Sequence, residues 1–178
     1  GLGDYSVEDS IMKQYTVKYT KCTSEEQLLK LFIQFWFEEH TTPDVVTGWN
    51  ICGFDIPYLV NRFTKILGED SMRRLSPWNI IKKTIKEYNG RELTKYNLFG
   101  VESLDYIELY KWYAPGGKSQ ESYRLDNIAN VEIGERKLSY DEYDNLHALY
   151  RLNHQKFIEY NIKDVVLVER IDDKLKLL

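Results

Sequence analysis

Cysteine is nearly absent: Cys22 and Cys52 are the only two in 178 residues. Two thiols are too few for a disulfide scaffold or a four-thiolate metal site, and both are expected to be reduced, in an intracellular protein. Histidine is almost as sparse, and His40, His147 and His154 show no metal-ligand spacing. No run approaches the roughly 18 apolar residues that a membrane-spanning helix needs. The opening GLGDYSVEDS has neither a basic start nor an apolar stretch, so no secretory leader is expected. An excess of positive charge is missing as well. With 24 basic and 28 acidic residues the net charge is −4, which excludes a basic coat for duplex DNA. A narrow nucleic-acid site built from carboxylates and metal is compatible with that balance. The phosphate-loop, dinucleotide-fold, zinc-protease and serine-hydrolase patterns are all missing. Gly116-Gly117-Lys118-Ser119 echoes the end of a phosphate loop but lacks its first glycine and its following apolar helix.

What the sequence does contain is 43% hydrophobic and 14% aromatic residues, enough for a real core. It has no internal repeat, low-complexity tract or evident linker. Residues 1–13 are expected to be a flexible lead-in, and residues 14–178 one domain. The class expected is α/β, with α and β elements around a mixed sheet.

Gln14–Lys21 alternates, with Tyr15, Val17 and Tyr19 on one side, which predicts a half-buried strand. Ser24-Glu25-Glu26-Gln27 is a capping box that opens a helix. Leu28, Leu31, Phe32, Phe35 and Trp36 give that helix its stripe, broadened by Leu29, Ile33 and Phe37, and Thr41-Thr42-Pro43-Asp44 breaks it. Val45–Trp49 reads as an interior strand that ends at Asn50. A loop then runs to Asp55. Pro57 suits the first turn of a helix over Tyr58–Leu67, with Gly68 just past its end. Ligand sites of open α/β sheets tend to lie where strands end in this way. Asn89-Gly90 between Ile80–Tyr88 and Glu92–Phe99 predicts a hairpin, with Lys82, Lys83, Lys86, Arg91 and Lys95 around its tip. Helices are predicted over Ser103–Tyr113, Leu125–Asn130, Asp141–Leu152 and Asn153–Leu178, with a loop at Pro115-Gly116-Gly117.

The last helix holds an anomaly. Phe157, Tyr160, Asp164, Val168, Ile171 and Leu175 share one face, and Asp164 is its one carboxylate. A carboxylate on an inward face is costly unless it is hydrogen-bonded, protonated or bound to a cation. Either Asp164 sits at the rim, bonded to a backbone amide or paired with Lys163 or Arg170, or it binds a ligand together with Tyr160, one turn away. Asp55 also has two readings, as an acid favoured near a helix start or as a ligand. Asn50 could equally be an ordinary turn residue. An acid after an interior strand, with an acid and a tyrosine on a later helix, fits metal-dependent phosphodiester hydrolysis. Such sites hold two divalent ions about 4 Å apart, and hard ions such as Mg²⁺ take oxygen ligands.

Two motifs carry a resemblance. Asn50-Ile51-Cys52-Gly53-Phe54-Asp55 resembles the second exonuclease motif of family B DNA polymerases, Asn-x-x-x-Phe-Asp. Tyr160-Asn161-Ile162-Lys163-Asp164 resembles their third, Tyr-x-x-x-Asp. The frames TGWNICGFDIPYLVNR, LDYIELY and NHQKFIEYNIKDV are similar to the T-even phage type, from about Gln14 to the C-terminus. The resemblance implies a proofreading 3′→5′ exonuclease domain of ribonuclease-H-like fold with an inserted β-hairpin. It implies Mg²⁺ or Mn²⁺ bound by Asp55 and Asp164, with Tyr160 orienting the attacking water or the scissile phosphate. It places Asn50 and Phe54 beside the 3′-terminal nucleotide of single-stranded DNA. The hairpin would help part that end from its template, with Lys86, Tyr88 and Arg91 as DNA contacts; the alternative is a merely solvated basic tip. The setting implied is the cytoplasm of an infected bacterial host.

The family's first motif, Asp-x-Glu, occurs nowhere in the sequence. The spacing in Asp105-Tyr106-Ile107-Glu108 is wrong for two carboxylates on one strand face. The chain therefore resembles a fragment that begins after the first strands, and activity of the chain alone is expected to be negligible. The lost central strand would leave open sheet edges. A rearranged sheet, a swapped homo-oligomer, or pairing with the rest of the polymerase or a separately encoded piece is expected. The alternative function is a non-catalytic subunit or DNA-binding scaffold of a split polymerase.

Overall fold

The computed structural model describes residues 1–38, 42–88, 91–114 and 120–178. His40, the Asn89-Gly90 turn and the Gly116-Gly117-Lys118-Ser119 stretch lie outside the described residues. The chain divides into two compact units, Ser24–Trp112, and Gly1–Thr23 with Tyr113–Leu178. Both helices and strands are present, with the strands in two small sheets, so the protein is mixed α/β.

The Ser24–Trp112 unit opens with α1 (Glu25–Glu38), which is capped as expected: the Gln27 amide donates to Ser24 Oγ at 3.2 Å. Its most buried side chains are Leu29 and Ile33, whereas Phe35 is 66% exposed. The buried stripe is thus rotated away from Phe35, because the core lies under the Leu29–Ile33 row. β1 (Val45–Gly48) pairs in parallel with β4 (Glu102–Asp105), Gly48 standing opposite Asp105. That pairing claims Ser103–Asp105, so the helix expected from Ser103 begins later, as α4 (Tyr106–Tyr113).

After β1, α2 (Asp55–Leu67) buries Ile56, Val60 and Phe63, spaced four and three residues apart, against α1 and Leu75, Leu98 and Val101. Pro57 is its third residue, where no intrahelical amide is required. Gly68, at φ 82°, ends α2 and leads into a short α3 (Glu69–Arg73). β2 (Ile81–Tyr88) and β3 (Arg91–Leu98) form an antiparallel pair, Ile81 opposite Leu98 and Tyr88 opposite Arg91.

In the other unit, residues 1–13 bond to the last helix. The Ser6 amide donates to Gln155 Oε1 at 2.8 Å, the Ile11 amide donates to Glu159 Oε1 at 3.1 Å, and Met12 is buried. The alternation at Tyr15, Val17 and Tyr19 is real in burial, but this segment is not a strand. Among the described residues it has no ladder partner, and an alternating sequence without a partner stays irregular.

α5 (Leu125–Ile133) runs past the expected Asn130 and stops at left-handed Gly134. The helix expected from Asp141 is shorter, as α6 (Leu146–Leu152), because the Asn145 side chain caps the Ala148 amide at 2.9 Å and fixes the start there. Asn153 caps α7 (His154–Leu175) in the same way, accepting from the Lys156 amide at 3.0 Å. α7 buries Tyr160, Val166, Leu167, Val168 and Ile171.

Candidate active site

The Asn50–Asp55 loop leaves β1 by a tight turn. Asn50 adopts a left-handed conformation, φ 65°, which Asn tolerates better than most residues. Its carbonyl accepts the amides of Gly53 at 3.1 Å and Phe54 at 3.0 Å. A Cβ on Gly53 would lie 2.5 Å from Asn50 Oδ1, so glycine makes room for the asparagine side chain. Asp105, at the end of β4, accepts the amides of Asn50 (3.0 Å) and Ile107 (3.3 Å) on Oδ1 and of Cys52 (3.0 Å) on Oδ2. Phe54 and Tyr58 are exposed and stacked, with ring centroids 6.1 Å apart and 13° between planes.

Asp55 is the first residue of α2, where the helix dipole favours an acid. Burial nevertheless pushes its carboxyl above the ordinary value; its own backbone amide opposes this, and the negative charge of Asp105 adds to it.

Tyr160 and Asp164 share the inward face of α7, as their spacing predicts. The partner of Asp164 is neither Lys163 nor Arg170, which pair instead with Glu135 at 2.6 Å and 2.5 Å. It is Lys137, in the irregular segment after α5. The Lys137 ammonium donates to Asp164 Oδ2 at 2.7 Å and to the Tyr160 hydroxyl at 3.0 Å, and lies 5.0 Å from the Tyr160 ring centre. Burial works against the charge on Lys137, but its bonds to Asp164 and Tyr160 prevail and hold its pKa above the ordinary lysine value. Burial likewise pushes Asp164 up, with Lys137 pulling against it. Asp164 Oδ1 is buried and has no hydrogen-bond partner among the described residues. Tyr140 packs edge-on against Tyr160, with centroids 5.4 Å apart.

The structure brings Asn50, Phe54 and Asp55 together on one loop of the Ser24–Trp112 unit. It brings Tyr160 and Asp164 together on one helix of the other unit. The side chains of Lys86, Tyr88 and Arg91 lie outside the described residues. Among the described residues, no group of three or more His, Cys, Asp or Glu side chains is clustered to hold a metal ion. Two residues at these sites escape sequence reasoning. Lys137 stands in no periodic segment, and its only signal is that an inward carboxylate demands a cation. Asp105 looks like a misplaced acidic pair with Glu108, yet Glu108 pairs with Lys111.

The model of the family described as DNA polymerase family B, exonuclease domain, matches residues 4–128, most of the chain and all of the Asn50–Asp55 loop. The chain belongs to this family. It is 41% identical over 158 residues to the DNA-directed DNA polymerase of Escherichia phage RB69, covering 88% of this chain and 17% of that polymerase. It is 40% identical over 158 residues to that of Enterobacteria phage T4, with the same coverage of 88% and 17%. A DNA polymerase catalytic subunit of Psittacid herpesvirus 1 is 29% identical over 164 residues, 89% of this chain and 15% of that subunit. This family B exonuclease domain thus spans 17% of the length of its phage relatives. The T-even resemblance carried by the two motifs is borne out. No helix among the described residues is long and apolar enough to cross a membrane.

Proposed function

We propose that this family B exonuclease domain serves 3′→5′ proofreading of single-stranded DNA ends, with a ribonuclease-H-like arrangement over residues 14–178 as one domain. The observation that carries the proposal is the Lys137–Tyr160–Asp164 cluster: a largely buried carboxylate with one oxygen unpartnered among the described residues, a phenol one turn away and an ammonium joined to both. Asp55 and Asp164 are the carboxylates proposed to bind Mg²⁺ or Mn²⁺, which suit hard oxygen donors. The partnerless Oδ1 of Asp164 fits such an ion. When bound, the ion supplies Lewis acidity and a water made nucleophilic near neutral pH.

The chain's own groups do the rest. Lys137 donates to the Tyr160 oxygen, so the phenol's proton is left to donate to a water or a phosphate oxygen. The ammonium's positive charge favours an anionic transition state beside it. Asn50 is proposed to hold the 3′-terminal nucleotide by hydrogen bonds and Phe54 by stacking, a sequence-tolerant way to hold a single strand. β2 and β3 are proposed as the inserted hairpin that helps part primer from template, with Lys86, Tyr88 and Arg91 touching DNA.

This sequence contains no Asp-x-Glu, so it supplies two of the four carboxylates expected around the ions. Weak metal binding and negligible turnover by the chain alone follow. Among the described residues β1 pairs only with β4. We propose that its other edge is covered by the rest of the polymerase, a separately encoded piece or a second copy, in the cytoplasm of an infected bacterium.

The test is a 5′-labelled single-stranded oligonucleotide with Mg²⁺ or Mn²⁺. The expected result is binding of the 3′ end that weakens in Asn50→Ala and Phe54→Ala, with little cleavage. Binding indifferent to both variants refutes the placement of the 3′ end, and robust turnover abolished by Asp164→Ala refutes the inactivity of the chain alone.

A further inference from the structure

Asp105 ends β4 directly opposite Gly48, the last residue of β1. A carboxylate offers about four acceptor positions, and this one spends three on main-chain amides: Asn50 and Ile107 on Oδ1, Cys52 on Oδ2. Two of those amides belong to the loop that carries Asn50, Phe54 and Asp55. The loop gains a second hold on β4 where Cys52 Sγ lies 3.6 Å from the Ser103 carbonyl. Between the two held amides the chain passes through Asn50 at φ 65°, a conformation that persists where its surroundings enforce it. The Asn50 carbonyl then receives the amides of Gly53 and Phe54, so the bend at Asn50 passes directly into the placement of Phe54.

We infer that Asp105 is a positioning residue of the exonuclease site: its carboxylate moulds the Asn50–Asp55 loop and sets how Asn50, Phe54 and Asp55 meet the 3′-terminal nucleotide. This rests on the proposed role of that loop. An amide cannot substitute for the carboxylate. Asparagine has one acceptor oxygen and one NH₂ group, so at position 105 the NH₂ must face a backbone donor on one side. The orientation that keeps two of the three bonds sets the oxygen on Asn50 and Ile107 and turns the NH₂ toward Cys52.

Amide hydrogen exchange on the 178-residue chain tests the brace. In Asp105→Asn the Cys52 amide is expected to exchange at least about tenfold faster, the loss of one charge-assisted hydrogen bond. In Asp105→Ala both Asn50 and Cys52 are expected to do so, while the α2 amides of Val60 and Phe63 keep their protection. A second arm follows an oligonucleotide ending in a 3′ 2-aminopurine, whose affinity is expected to fall about tenfold in Asp105→Ala. Unchanged exchange at both loop amides overturns the inference. So does lost protection with unchanged affinity, which leaves the brace a structural tie only. Where Asp105→Ala also exposes Val60 and Phe63, Asp105→Asn decides. If Asn50→Ala and Phe54→Ala leave the affinity unchanged, the loop's proposed role fails and the positioning role with it. If they weaken binding while Asp105→Ala does not, only the positioning role fails.

Discussion

Replacing Lys137 by methionine keeps the length of the side chain and removes its charge. The ion pair with Asp164 is about three-quarters buried, the two side chains being 26% and 28% exposed. Breaking a fully buried pair by removing one partner costs about 3–5 kcal/mol, and breaking an exposed one at most about 1 kcal/mol. The burial here lies nearer the first case, so Lys137→Met is expected to cost about 2–3 kcal/mol. The Asp164 oxygens explain the size. Among the described residues Oδ1 has no hydrogen-bond partner, and the substitution removes the ammonium that donates to Oδ2. Asp164→Asn removes the charge that needs solvating, while the long stem of Lys137 can carry its ammonium toward water; about 1 kcal/mol is expected. The double variant Lys137→Met/Asp164→Asn should be more stable than Lys137→Met alone, with a coupling energy of about 1–2 kcal/mol. Urea unfolding followed by far-UV circular dichroism gives the four stabilities, and amide exchange along α7 localises the loss. If Lys137→Met unfolds within about 0.5 kcal/mol of wild type, or if Asp164→Asn is the costlier single change, the reasoning from an underpartnered buried carboxylate is wrong.

Three further outcomes are expected. Burial holds the Asp55 carboxyl above its ordinary 3.8, so the folded chain binds that proton more tightly than the unfolded chain, and stability present at low pH is lost as pH rises through the folded pKa. Asp55→Asn should therefore be more stable than wild type at pH 7 and lose that advantage by about pH 3; parallel stability curves across the range refute this. Gly53→Ala should push the Asn50 side chain aside, weakening 3′-end binding while stability changes by less than about 1 kcal/mol, as titration and urea unfolding will show. Asn153→Ala removes the cap of α7 and should cost about 1 kcal/mol, read by the same unfolding assay.

Local chemistry was the legible part of this sequence. The Ser24 cap, a strand within Val45–Trp49, the stop at Gly68 and the inward face of α7 each follow from neighbouring residues, and the structure has them, although the strand is half exposed rather than interior. The errors came where long-range pairing decides. Gln14–Lys21 has the alternation of a strand but no ladder partner among the described residues. Ser103–Asp105 has a helical pattern and is recruited by β1. Asn145 shortens α6 because a well-placed cap outweighs the polar turn before it. The candidate site divides in the same way. Motif residues stand out by type and spacing, whereas Lys137 and Asp105 act through partners 27 and 55 residues away. No periodicity links positions so distant.

The division of the chain also gives it a natural optical label. Trp36, Trp49, Trp78 and Trp112 all belong to the Ser24–Trp112 unit, and the other unit holds none of the four indoles. Emission excited at the red edge of the absorption band, where tyrosine is silent, therefore watches one unit alone. The Tyr140–Tyr160 and Tyr150–Phe157 clusters of the other unit contribute only at shorter wavelengths. Two excitation wavelengths on the unlabelled protein can thus follow the loop-bearing unit separately from the whole chain.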